Sequence, residues 1–174
     1  IKGAKVGQKV AIIGAGGIGF DVAEFLTHGE REPSKNIEEF MSQWGIDMTM
    51  QARGGVAEMK PNLEPSPREI YLLQRKTTKV GAGLGKTTGW IHRAGLQQKQ
   101  VNMISGCEYL AIDDDGLHLT IGEKTQVLDV DNIIVCAGQD PDRRLVDGLE
   151  REHHLIGGAD KATQLDAKRA IRQG

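Results

Sequence analysis

The sequence predicts an α/β domain built on a parallel central sheet, and three observations lead there. Residues 10–13, Val-Ala-Ile-Ile, form a short apolar run of the kind that makes a strand buried on both faces. Gly14-Ala15-Gly16-Gly17-Ile18-Gly19 follows at once, and residues 20–26 then carry apolar side chains at helical spacing. Further on, residues 108–112, 117–121 and 126–130 are three short β segments. Asp114-Asp115-Gly116 and Gly122-Glu123-Lys124 separate them, turn signals at hairpin spacing.

Strand, glycine turn and helix in that order turn G-x-G-x-x-G into a dinucleotide fingerprint. Gly14 allows the tight turn, Gly16 lets a pyrophosphate approach the backbone, and Gly19 lets helix and strand pack closely. The helix N-terminus then turns its free N–H groups and positive dipole end toward the phosphates. The expected fold is therefore a Rossmann-like NAD(P)-binding domain. Its parallel sheet carries an antiparallel β-meander crossover, as in flavoproteins that bind FAD and NAD(P).

Composition agrees with this. Twenty-three glycines among 174 residues and an aromatic content of 4% fit a turn-rich α/β domain better than a sandwich or bundle. The net charge of −2, with both signs interspersed, gives no reason to expect a nucleic-acid or membrane partner. Cys107 and Cys136 are too few and too far apart for a metal framework and read as small apolar residues of a reducing compartment. No metal site is expected. With neither a signal peptide nor a long apolar span, the reading is cytoplasmic. The chain opens at Ile1 rather than Met and reads as a piece of a longer protein.

In order, residues 1–8 form a leading linker and 9–26 the β–α unit. Residues 28–68 are an insertion holding four of the five prolines, with Gly54-Gly55. Within it Ser34 caps a helix over 36–44, whose Ile37, Phe40, Met41 and Trp44 share one face. The insertion either covers a rim of the site or is a passive surface excursion. Residues 69–74 are the second strand, 77–89 a glycine-rich loop, 90–99 a helix and 101–104 the third strand. After the meander come a strand at 132–136, a last strand at 154–156 and a last helix at 163–172. The domain boundary is placed between 152 and 153.

The second strand ends Gln74-Arg75-Lys76 without the acid that would accept from a free ribose 2′-OH. Arg75 offers a planar fork and Lys76 a mobile charge, so NADPH is the expected nucleotide, the alternative being a merely solvated basic strand end. Gly81 to Thr88 superficially suggests a triphosphate-binding loop, but Val80 stands where that pattern needs glycine. Lys86, Thr87 and Thr88 can still meet a phosphate or ribose at a helix start, or form a lid without ligand contact. Asp21 either complements the helix N-terminus or faces the cofactor. The five histidines lack ligand spacing, and no nucleophile–base pair stands out. No catalytic residue is assigned.

Four stretches, together with Asp113-Asp114-Asp115-Gly116-Leu117-His118, carry a resemblance through nearly the whole chain. They are Ala15-Gly16-Gly17-Ile18-Gly19-Phe20-Asp21, Leu73-Gln74-Arg75-Lys76, Gly83-Leu84-Gly85-Lys86-Thr87-Thr88-Gly89-Trp90-Ile91-His92-Arg93 and Ile133-Ile134-Val135-Cys136-Ala137-Gly138. The chain resembles the bacterial NADPH-dependent 2,4-dienoyl-CoA reductases. That resemblance implies a parent with an FMN- and iron–sulfur-bearing barrel followed by FAD and NADPH domains. Electrons would pass from NADPH through FAD, the cluster and FMN to a dienoyl-CoA of unsaturated fatty-acid breakdown.

By the same resemblance, Asp21 matches an acid near nicotinamide and flavin. Ala137 and Gly138 match the point where the chain leaves the NADPH domain. Gly158 and Asp160 match a segment meeting the ribityl or pyrophosphate part of FAD. Residues 1–152 would be the NADPH domain and 153–174 the last strand and helix of the FAD domain, with only a partial FAD site. The barrel, the cluster cysteines and the first FAD glycine loop are not in this sequence, so the piece alone should not reduce dienoyl-CoA. A related enoate reductase or amine dehydrogenase, and a non-catalytic dinucleotide sensor, are the other readings; the last strand and helix weigh against the sensor.

Overall fold

The computed structural model describes residues 3–29, 32–163 and 167–173. The helices and strands are β1 (Lys9–Ile13), α1 (Gly17–Thr27), α2 (Ile37–Gln43), β2 (Glu69–Leu73), α3 (Gly89–Gln98), β3 (Asn102–Ile104), β4 (Cys107–Asp113), β5 (Gly116–Ile121), β6 (Lys124–Leu128), β7 (Asn132–Val135), α4 (Gly157–Asp160) and α5 (Ala167–Gln173). They fall into two compact units, Ile1–Cys136 and Ala137–Gly174.

β1 is the centre of the first unit because its side chains can be buried on both sides. Val10, Ala11 and Ile12 are 0% exposed. The strand pairs in parallel with β2 on one side and β7 on the other, and β3 adds outside β2, giving the order β3-β2-β1-β7. Side chains alternate across a strand. Val10 and Ile12, with Ile70 and Leu72, therefore meet Phe20, Ala23 and Leu26 of α1 and Leu96 of α3. Ala11 and Leu73 face the other way, onto Cys107, Leu117, Leu119 and Leu128, which belong to the antiparallel sheet β4-β5-β6. Helices, parallel sheet and meander make three layers. Burying Phe20 or Leu26 contributes about 1.5–3 kcal/mol each.

The meander register differs from expectation at its end. Ile121 pairs with Lys124 across Gly122-Glu123, and Gly122 has φ 62°, so a two-residue turn starts β6 two residues earlier than the expected 126–130.

In the insertion Asn36, not Ser34, caps α2. Its Oδ1 accepts from the N–H groups of Glu38 and Glu39 at 3.0 and 3.2 Å, while Ser34 lies in a short 3-10 turn, Pro33–Lys35. The expected apolar face is only partly covered: Ile37 is 63% and Phe40 40% exposed, although the Phe40 and Trp44 rings pair at 6.4 Å. Asp47 staples the segment that follows. Its carboxylate accepts from the Thr49 N–H (2.8 Å) and hydroxyl (2.6 Å), and from the N–H groups of Gln51 (2.8 Å) and Ala52 (2.6 Å).

In the second unit the strand expected at 154–156 is not formed; α4 simply follows an extended stretch. A strand exists only through a partner's ladder, and no described strand pairs with these residues. Of the helix expected at 163–172, α5 is the described part. Residues 164–166 lie outside the described residues, and Thr163 precedes them in a bend. Among the described residues no helix is long and apolar enough to cross a membrane.

Gly19 and Gly95 should respond oppositely to alanine. At Gly19 the added Cβ would lie 1.8 Å from the Gly14 carbonyl oxygen, whereas at Gly95 it meets nothing within 4 Å. Gly19→Ala should lose about 3 kcal/mol or more. Gly95→Ala, inside α3, should gain about 0.5–1 kcal/mol. Denaturant midpoints measure both, and equal midpoints would contradict the close packing of α1 on the turn.

The insertion should be acid-labile. The Thr49 hydroxyl foremost, then the N–H groups of Ala52 and Thr49, hold the Asp47 carboxyl at about 2, below its ordinary 3.8. Because the folded value is depressed, the stabilisation is complete above pH 3.8 and is lost as pH falls through about 2. The amide resonances of Thr49, Gln51 and Ala52 should titrate together in that window, and Asp47→Ala should abolish the joint transition.

Candidate functional site

The glycine turn lies at the C-terminal edge of the parallel sheet. Gly14 leaves β1 with φ 111°, in the left-handed region, and its N–H donates to the Leu73 carbonyl of β2 at 2.9 Å. Gly16 then caps α1 in extended conformation, φ −84° and ψ −172°, with no side-chain cap. The Phe20 N–H closes the first helical bond on the Gly16 carbonyl at 3.0 Å. The remaining first-turn donors thus point outward from the helix end. Gly14 is fixed by its φ and Gly19 by its contact with Gly14. At Gly16 and Gly17 neither reason applies, since a Cβ would meet nothing within 4 Å and neither has positive φ. Packing leaves bare backbone there, and a pyrophosphate fits against it with donors already aimed.

The end of β2 lies beside this turn, because Ile13 and Leu73 are register partners. Gln74 donates its N–H to the Ile104 carbonyl at 3.0 Å and accepts at its own carbonyl from the Cys107 N–H at 3.0 Å. Its side-chain Nε2 donates to the carbonyls of Lys76 (3.0 Å) and Thr78 (2.5 Å). The Gly106 N–H also donates to the Lys76 carbonyl, at 2.9 Å. The main chain of Arg75 and Lys76 is therefore pinned. Both side chains are exposed and make no hydrogen bond or ion pair among the described residues. The Tyr109 hydroxyl is buried and has no hydrogen-bond partner among the described residues. Burial pushes its pKa up to about 12, opposed by the nearby Arg75 charge.

The loop before α3 reaches the same edge, since α3 is the crossover from β2 to β3. It is anchored at both ends. A Cβ at Gly81 would lie 2.7 Å from the Phe20 ring, and one at Gly89 would lie 2.6 Å from the Leu84 Cβ. Arg93 of α3 donates from Nε to the Val80 carbonyl (3.1 Å) and from Nη2 to the Gly81 carbonyl (3.2 Å). Lys86 and Thr87 stand exposed between the anchors; the Thr87 carbonyl accepts from the Trp90 indole at 3.0 Å.

Asp21 lies in the second turn of α1, because the helix begins at Gly17. Complementing the helix N-terminus, which acts within the first turn, is therefore not its role. It is exposed and unpaired among the described residues. Ala137, Gly138, Gly158 and Asp160 belong to the second unit. There Asp160 Oδ2 accepts from Gln173 Nε2 at 2.9 Å, and the carbonyls of Ala159 and Asp160 accept from Arg143. Of the histidines, His92 meets Glu24 at 3.4 Å and His118 meets Asp113 at 2.8 Å. Among the described residues no cluster of three or more His, Cys, Asp or Glu could hold a metal. In the sequence Gln74 and Arg93 stand out only within longer motifs, because their partners are carbonyls, which carry no residue signature.

A profile of pyridine nucleotide-disulphide oxidoreductases matches residues 1–167. The chain is also similar to a metal reductase of Desulforamulus reducens, 22% identical over 147 residues, 84% of this chain and 21% of that protein. Among solved structures it is similar to a 2-naphthoyl-CoA reductase complexed with 2-naphthoyl-CoA, with TM-score 0.63 and 18% identity over 98% of this chain and 20% of that one. A bacillithiol disulfide reductase from Bacillus cereus gives TM-score 0.47 and 13% identity over 82% of this chain and 32% of that one. The chain thus spans about a fifth of the metal reductase and of the naphthoyl-CoA reductase. The parallel sheet, meander and glycine turn are the fold of FAD/NAD(P)-binding flavoprotein oxidoreductases, and with nearly its whole length matched the chain belongs to the pyridine nucleotide-disulphide oxidoreductase family.

Proposed function

We propose that this chain is the NADPH-binding module of a multidomain flavin and iron–sulfur oxidoreductase that reduces 2,4-dienoyl-CoA in unsaturated fatty-acid β-oxidation. When bound, NADPH supplies a hydride that FAD accepts, and the protein's part is binding and orientation. One observation carries the reading: two cations, Arg75 and Lys76, without an ion pair among the described residues, on a pinned strand end beside a bare glycine turn. Residues 14–19 hold the pyrophosphate with backbone donors, Arg75 and Lys76 hold the 2′-phosphate, and Lys86 and Thr87 add a phosphate or ribose contact. Asp21 faces the nicotinamide end.

The dienoyl-CoA substrate rests on the resemblance over residues 83–93 and 113–118. On that basis residues 1–152 are the NADPH domain and 153–174 a part of the FAD domain, in which Gly158 and Asp160 meet FAD. Ala137 and Gly138 mark the exit from the NADPH domain. FMN and an iron–sulfur cluster belong to the parent's barrel, this module's partner in a cytoplasmic enzyme. A stretch amounting to 20% of the 2-naphthoyl-CoA reductase shares this fold.

Titrating NADPH and NADH against the chain tests the reading. NADPH should bind about 10²-fold more tightly at low salt, since two charge-assisted bonds are at stake, and the margin should shrink as salt screens them. Arg75→Ala with Lys76→Ala should erase the margin while leaving NADH binding in place. Gly16→Ala, at the N-cap of α1, should cost no more than about 1 kcal/mol of stability yet bind both nucleotides at least about tenfold more weakly. Equal affinity for the two nucleotides before and after the double substitution would remove the 2′-phosphate assignment.

A further inference from the structure

Gln74 stands one residue beyond Leu73, at the place where an acidic side chain reads a free ribose 2′-OH. Its amide is spent inward instead. Both Nε2 bonds end on carbonyl oxygens, Lys76 at 3.0 Å and Thr78 at 2.5 Å, so only the nitrogen can face them and the amide orientation follows from its partners. Both amide hydrogens are used, and residues 75–78 curl around the side chain. The Gly106 and Cys107 N–H groups tie the same turn to the start of β4.

We propose that Gln74 is the positioning residue that selects the 2′-phosphorylated nucleotide, by folding the turn that presents Arg75 and Lys76 rather than by touching the ligand. This rests on the NADPH reading above. Exposed cations gain little from a phosphate when both long side chains and their backbone must first be ordered. The amide orders the backbone beforehand. A carboxylate in its place has no hydrogen to give at neutral pH, and two carbonyl oxygens would repel it. It would swing outward, release the turn, and accept from a free 2′-OH. Exchanging one nitrogen for oxygen would thus dismantle the phosphate turn and build the competing site in a single step.

The test is the NADPH and NADH dissociation constants of wild type, Gln74→Met, Gln74→Glu and the Arg75→Ala/Lys76→Ala pair, by fluorescence titration. Gln74→Met keeps length and neutrality but removes the donors. It should weaken NADPH about tenfold and leave NADH within about twofold. Gln74→Glu should invert the preference. If wild type shows no NADPH preference, or the alanine pair leaves it intact, the phosphate reading fails and this inference with it. If the preference exists and depends on the two cations, yet Gln74→Met retains it, Gln74 alone is refuted. Equal weakening of both nucleotides also refutes it, since that marks a general structural role. Should Gln74→Met not fold, a Gln74→Glu chain that still prefers NADPH overturns the proposal.

Discussion

The first unit depends on one close approach, between the α-carbon of Gly19 and the carbonyl oxygen of Gly14. A helix following a strand must turn back over the sheet to bury its apolar stripe, and the distance at the crossing sets how deeply that stripe reaches. With no Cβ at position 19, α1 lies low enough for Phe20, Ala23 and Leu26 to close over Val10 and Ile12. The same contact places the helix N-terminus at the C-terminal edge of the sheet. Stability and ligand geometry are therefore set together: the packing that buries the core also aims the backbone donors.

The glycines of this edge divide by what requires them. Gly14 and Gly81 have positive φ, and Gly19, Gly81 and Gly89 are in close contact with neighbouring atoms. The fold would demand those four without any ligand. Gly16 and Gly17 satisfy no such demand. Gly16 is the N-cap of α1, a place that favours glycine over alanine, and the bare backbone at both positions leaves room for a group from outside the chain to approach closely.

Local signals made much of this architecture legible. An apolar run ending in glycines, alternation in the meander and two-residue turns each depend on neighbours in sequence, and those elements formed within a few residues of expectation. The features that differ from expectation depend on distant or fine choices. Ser34 and Asn36 are both competent caps, and only which oxygen reaches the N–H groups of Glu38 and Glu39 decides between them. Residues 154–156 have strand composition, but a ladder needs a partner that composition does not supply. Apolar spacing that begins at Phe20 puts Asp21 near the helix start, but the Phe20-to-Gly16 hydrogen bond draws Gly17, Ile18 and Gly19 into the helix ahead of it. Arg93 grips carbonyls 12 and 13 positions upstream, a relation that spacing alone does not reveal.

The two kinds of contact in the proposed nucleotide site follow opposite electrostatic strategies. At the glycine turn the donors are main-chain groups held by the helix itself, so little is lost on binding. At the end of β2 the proposed recognition groups are long cationic side chains in water, where screening and side-chain entropy leave an ordinary surface pair worth little. Discrimination there has to come from fixing what carries the charges. That is why the hydrogen bonds under Arg75 and Lys76 matter more than the charges counted alone. An amide and a carboxylate at Gln74 have nearly the same shape, yet opposite consequences for two carbonyl oxygens. On the proposed reading, selectivity for a ligand phosphate is a property of the backbone beneath the cations, and it is decided by a side chain whose amide is spent on that backbone.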